Sequence, residues 1–159
     1  MQDMLVRLTD LPHTRELEAS LAKQGVVFRR PIAPEKRILV EWTKANFSDY
    51  WASEMDVAFS HHPVTCFIAQ SEGQPVGFSC YETTAKNFFG PTGVLPAYRG
   101  TGIGKVLLIK ALMSLRALGY AYAVIGGVGP VAYYQKVVGA VIIEGSGRSV
   151  YKDLLRKDG

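Results

Sequence analysis

The residues best placed to do chemistry lie in the stretch 98–108, YRGTGIGKVLL. Gly100, Gly102 and Gly104 alternate behind Arg99, after a strand-like run ending at Val94 and Leu95 and before a long apolar helical run. Strand, glycine turn and helix start together make an anion cradle. The first backbone N–H groups of a helix have no internal partner, and the helix dipole adds positive potential at that end. Glycines let a phosphate approach the backbone closely, and an arginine adds charge-assisted hydrogen bonds. Two familiar phosphate loops do not fit. The P-loop spacing puts Arg99 where its first glycine belongs and Val106 where the hydroxyl residue after Gly104 and Lys105 must stand, so the magnesium ligand is missing. The dinucleotide fingerprint requires a glycine at Lys105 and an acid about twenty residues on, and residues 120–124 contain none.

The spacing Arg99-x-x-Gly102-x-Gly104 resembles the acyl-coenzyme A pyrophosphate loop of the GCN5-related N-acetyltransferases, the GNAT family. The likeness extends upstream to Val94-Leu95-Pro96 and downstream to the tyrosine pair in Tyr133-Tyr134-Gln135-Lys136, and covers residues 26–155 in element order. It implies an acyl-CoA N-acyltransferase that moves acetyl from acetyl-CoA to a primary amine, of a small molecule or a peptide, by direct attack in a ternary complex. It places the pyrophosphate on Arg99, Gly100, Thr101, Gly102, Ile103, Gly104 and Lys105, and pantetheine along Gly93, Val94 and Leu95. It makes Tyr134 the proton donor to the departing thiolate, a residue that also reads as a core aromatic. No metal is implied.

The rest of the reaction is argued from its needs. Deprotonating an alkyl ammonium of pKa about 10.4 at pH 7 costs roughly 4–5 kcal/mol, which a general base or desolvation must offset. Related acetyltransferases often carry a glutamate in the strand before the loop, but residues 85–95 contain no acid. Glu82 is the expected substitute, with Glu54, Asp56, His61 and His62 beside it; each also reads as a solvated charge or a turn residue. A bulge at Gly90 and Pro91 is expected to splay the neighbouring strand and open a slot, with the N–H of Leu95 as oxyanion donor. Trp51, Tyr81, Phe88 and Phe89 are the aromatics available to line it. Residues 126–130 lack the family's frequent asparagine, the helix runs one residue longer before Gly139 than the family's usual pattern, and Ala140 replaces an aromatic. These departures leave two rival readings open, a non-catalytic acyl-CoA binding or sensor domain and an interaction protein whose cradle stays empty.

Composition sets the frame. A chain of 159 residues with 48% hydrophobic and 20% charged content is one globular domain with a sizeable core. The net charge of +4 comes from scattered basic residues, which suits an anionic small ligand and not a nucleic acid. Cys66 and Cys80 lack metal-ligand spacing and read as core thiols of a reducing compartment. Neither a membrane-spanning run nor a signal-peptide core is evident, so a cytoplasmic location is expected.

The elements that must position the loop follow from periodicity. Residues 1–25 read as an N-terminal extension, a short strand at 4–8 and a helix at 12–23, that either covers the core or mediates a homodimer. Residues 26–155 form the acetyltransferase domain and 156–159 a tail. Within the domain, the pattern predicts a strand at 26–30, helices opening at Pro34 and Ser48, and a hairpin of 64–70 with 75–82 about Glu72 and Gly73. A broken strand follows at 87–95, then a buried helix at 103–118 stopped by Gly119, a strand at 120–125 and a loop at 126–130. A short helix to Val138 and a final hairpin, 140–144 with 148–155, complete it. The expected fold is α/β: a mixed, mostly antiparallel sheet of six to seven strands flanked by helices on both faces.

Overall fold

The computed structural model describes residues 1–157 of the chain, so residues 158 and 159 of the expected tail lie outside the described residues. The elements run β1 (Gln2–Arg7), α1 (Arg15–Lys23), β2 (Val26–Arg29), α2 (Lys36–Asn46), α3 (Asp49–Ala58), β3 (Cys66–Ser71) and β4 (Gln74–Tyr81). They continue with β5 (Phe88–Val94), α4 (Ile103–Ala117), β6 (Tyr122–Val128), α5 (Val131–Val138) and β7 (Val141–Ile142). The seven strands form one sheet in the order β2-β3-β4-β5-β6-β1-β7. Every neighbouring pair is antiparallel except β5 with β6. The mixed α/β sheet with helices on both faces is therefore the fold that the sequence pattern anticipates.

Strand alternation decides what each face holds. In β4, Gly77 and Ser79 face α4. A Cβ on Gly77 would stand 3.1 Å from Leu107 Cδ1, and the buried Ser79 hydroxyl donates to the Leu107 carbonyl at 2.9 Å. Phe78 and Cys80 face the other way and pack with Leu39 of α2 and Met55 of α3. Helix α4 buries residues on every side, among them Val106, Leu107, Ile109 and Leu112, as its almost unbroken apolar sequence requires. Ser48 caps α3, its hydroxyl accepting from the Trp51 N–H at 3.1 Å. Cys66 and Cys80 face each other across β3 and β4 as free, fully buried thiols.

Three expectations need correction. Residues 1–25 are not appended to the sheet. Strand β1 pairs with β6 on one side and β7 on the other, and Met4, Val6 and Leu8 are fully buried. Strand β6 does not end at Ile125 but continues through two glycines to Val128, because the β1 partner extends to Gln2. The final hairpin is absent. Only Val141 and Ile142 pair, with β1, and the turn at Ser146 is tied down when its hydroxyl accepts from the Asp3 N–H at 2.9 Å. The chain then passes through a 3-10 turn at Ser149–Tyr151 and lies across the sheet's open end.

Candidate active site

The bulge and the glycines create the opening. Strand β5 pairs with β6 only at Phe88↔Val124 and Phe89↔Ile125. Beyond them Gly90 takes a φ of 120°, Pro91 has no N–H to offer, and the β4–β5 register shifts between Ser79 and Tyr81. On the β6 side, the buried Asp3 carboxylate accepts the Gly127 N–H at 2.8 Å and turns that backbone toward β1. The two strands part, leaving a groove of about 1110 Å³. Its floor is Gly90, Pro91 and Thr92 against Gly126, Gly127 and Val128. One wall comes from α3 with Tyr50, Trp51 and Glu54, backed by Thr83 and Thr84. The other is the C-terminal segment from Gly147 to Arg156.

Tyr134 enters this groove from the first turns of α5. It is 7% exposed, its ring meets Phe89 edge-on at 6.5 Å, and burial, assisted by the neighbouring Tyr133, pushes its phenol up to about 12. It therefore stays protonated throughout the neutral range. Glu54 is the one carboxylate among the described groove residues. Burial raises its pKa against the opposing effect of the Thr84 hydroxyl, which donates to it. Glu82, the expected base, is engaged elsewhere. It sits in the left-handed region at φ 61°, accepts the Asn87 N–H through Oε2 and the Tyr120 hydroxyl at 3.0 Å through Oε1, and does not line the groove. Its role is to close the β4–β5 turn. Asp56 pairs with Lys36 at 2.9 Å, and neither His61 nor His62 reaches the groove. Of the four aromatics considered, Trp51 and Phe89 line the groove, whereas Tyr81 and Phe88 are core.

Leu95 also departs from expectation. Its N–H donates to the Val76 carbonyl at 2.9 Å and is not free to act as an oxyanion donor. By strand alternation the Val94 peptide then faces the opposite edge, the one β6 has vacated. Its carbonyl accepts from Arg99 Nε at 3.1 Å. Gly93 is needed for a different reason: a Cβ there would stand 2.5 Å from Cε1 of Phe47, which stacks on Trp51 at 5.3 Å.

The glycine loop is open. Residues Pro96–Tyr98 make a 3-10 turn, and Thr101 closes it by donating to the Tyr98 carbonyl at 2.6 Å. Gly102 at φ 95° is the N-cap of α4, and no side chain caps the helix. The amides of Ile103, Gly104 and Lys105 therefore project from the helix end, while the Ile103 side chain is an anchor in the core. A Cβ on Gly100 would meet nothing within 4 Å, whereas one on Gly102 would stand 2.7 Å from Leu17 Cδ1. Among the described residues, no group of three or more His, Cys, Asp and Glu is placed to hold a metal ion, and no helix is long and apolar enough to cross a membrane.

The family model of the acetyltransferase (GNAT) family matches residues 34–140, which takes in α2, the splayed strands, the glycine loop and Tyr134. The chain belongs to the GNAT family. Solved structures carry the same fold at low identity. A glucosamine N-acetyltransferase region in a fungal multi-domain β-N-acetylglucosaminidase aligns at TM-score 0.71 and 17% identity, over 89% of this chain and 19% of that one. A GNAT protein from Sphaerobacter thermophilus aligns at TM-score 0.66 and 19% identity, over 89% and 48%. A GNAT acetyltransferase from Brucella melitensis, solved with acetyl-CoA, aligns at TM-score 0.52 and 21% identity, over 74% and 86%. The chain thus spans 19% and 48% of the lengths of the first two. A search of curated proteins returns no match. The GNAT frame also brings out what sequence reasoning missed. Thr83, Thr84, Asp3 and Tyr151 bear on the slot without any motif of their own. Tyr151 lies over Gly126 and Gly127, its Cε2 3.5 Å from where a Cβ of Gly127 would be.

Proposed function

We propose that the chain is an acyl-CoA-dependent N-acyltransferase that moves an acetyl group from acetyl-CoA to a primary amine by direct attack. The observation that carries this reading is the vacated β5 edge, with an uncapped helix N-terminus at one end and a groove holding a carboxylate and a phenol at the other. About three residues of extended chain, roughly 10 Å, separate Thr92 in the groove from Leu95 at the loop. The cradle fits a diphosphate, since its amides project outward and the approach at Gly100 is open.

Acetyl-CoA when bound supplies an activated thioester. The amides of residues 103–105 with Arg99 hold its diphosphate, and the Val94 peptide pairs with its amide arm. Glu54, ionised above its raised pKa, takes the ammonium proton from the acceptor, directly or through one water, and Thr84 fixes its orientation. Tyr134 donates a hydrogen bond to the sulfur as charge develops there. Complete transfer from a phenol near 12 to a thiolate near 8.5 is uphill by roughly 5 kcal/mol, so stabilisation of the forming charge is its contribution. The Tyr50 and Trp51 wall excludes water from the amine.

Two measurements test the reading. Acetyl-CoA at a hundred times its dissociation constant should stabilise the fold by about 2.7 kcal/mol. Amines should then release free thiol from it. Stabilisation with no thiol release across a broad amine panel makes the chain a binding or sensor domain; no stabilisation at all refutes the cradle.

A further inference from the structure

The groove is electrically lopsided. Its described lining includes one carboxylate, Glu54 on α3, and three cationic residues on the C-terminal segment, Arg148, Lys152 and Arg156. Among the described residues, five other basic side chains have a carboxylate partner. Arg29 pairs with Glu35, Lys36 with Asp56, Lys110 with Glu18, and Lys44 and Lys157 with Asp49. Among the described residues none of the three groove cations has a carboxylate at ion-pair distance. They are carried by a segment that is fixed at both ends of its crossing. Tyr151 lies on the bare backbone of Gly126 and Gly127. Further on, the Tyr50 hydroxyl donates to the Leu155 carbonyl at 2.8 Å and Lys157 meets Asp49 at 2.5 Å. A groove that holds three cations without a described carboxylate partner and one carboxylate is a two-point recognition surface for a molecule with charges of both signs.

Resting on the transferase reading above, we propose that the acceptor carries an anionic group, a carboxylate or a phosphate, on the same molecule as its reactive amine. The ammonium approaches Glu54 and the anion is met by Arg148, Lys152 and Arg156. Exposed pairs are individually weak, so three together give a preference of about tenfold, one that weakens as salt screens it.

Matched acceptors test this: lysine against cadaverine, and phosphoethanolamine against ethanolamine, with thiol release as the readout at low and high salt. The anionic member of each pair should have the higher kcat/KM by about tenfold at low salt, and the ratio should shrink at high salt. Combining Arg148→Ser, Lys152→Ser and Arg156→Ser should bring the ratio near one by raising KM for the anionic member. Lys152→Glu should tilt it toward the neutral amine. Equal or better turnover of the neutral members by the unmodified protein overturns the proposal and leaves the transferase reading standing. A triple variant whose KM rises for acetyl-CoA instead overturns it too, since the cations then serve the cofactor's phosphates. Thiol release from no acceptor refutes the transferase reading, and this proposal with it.

Discussion

The surroundings of Glu54 and Tyr134 suit them to different parts in the proposed transfer. Burial raises the Glu54 carboxyl, so the acid limb of the rate profile should lie above the ordinary carboxylate range, with activity increasing as pH rises through it. Glu54→Gln should lower kcat by about a hundredfold with KM for acetyl-CoA unchanged, and should remove that limb. The same burial has a stability consequence. A carboxyl whose folded pKa exceeds its unfolded value contributes stability that is fully present below the unfolded pKa and is lost as pH rises through the folded one. Glu54→Gln should therefore melt higher than the parent at pH 7, and the difference should vanish in acid. A variant that melts lower at pH 7 would mean that Glu54 is held in place as a structural ion. Tyr134→Phe keeps the packing on Phe89, so its melting temperature should hold while kcat falls about tenfold or more. With the phenol near 12, no alkaline loss of activity from Tyr134 is expected below about pH 10.

At the scale of elements, the glycines do two separate jobs. Gly102 adopts a φ that costs an L-residue roughly 1–2 kcal/mol, and Leu17 of α1 covers the space its Cβ would need. Gly102→Ala should destabilise by more than that amount, dihedral and contact together, and weaken acetyl-CoA binding. Adding Leu17→Ala relieves the contact but not the dihedral, so the double variant should recover only part of the loss. Gly93 has no such strain. Its neighbour Phe47 is wedged among Trp42, Trp51 and Phe78, with ring centroids 5.3 to 5.6 Å apart. Gly93→Ala should cost roughly 1–3 kcal/mol through overpacking, measured by denaturant titration. The loop was legible in the sequence because its signal is local: glycine spacing, the arginine and the apolar run sit within eleven residues. The base was not. Glu82 lies next to the bulge in sequence yet folds into its own turn, whereas Glu54 is thirty residues from its partner Thr84.

For the whole molecule, the sheet depends on its first strand. Met4, Val6 and Leu8 are fully buried, and each contributes roughly 1.5–3 kcal/mol, a sum comparable with the net stability of a typical domain. Removing residues 1–8 should leave a chain that does not fold, and Met4→Ala should cost about 2–5 kcal/mol in a denaturant titration. A folded, cooperative deletion variant would refute the placement of β1 between β6 and β7. Periodicity and turn chemistry alone determined the helices, the β3–β4 hairpin, the buried α4 and the glycine loop, because each is encoded by residues close together along the chain. Tertiary structure decided where β1 goes, that residues 148–155 wall the groove instead of pairing, and which carboxylate lines the groove. Those outcomes depend on contacts between segments up to 143 residues apart, such as Asp3 with Ser146, where no local pattern carries the information.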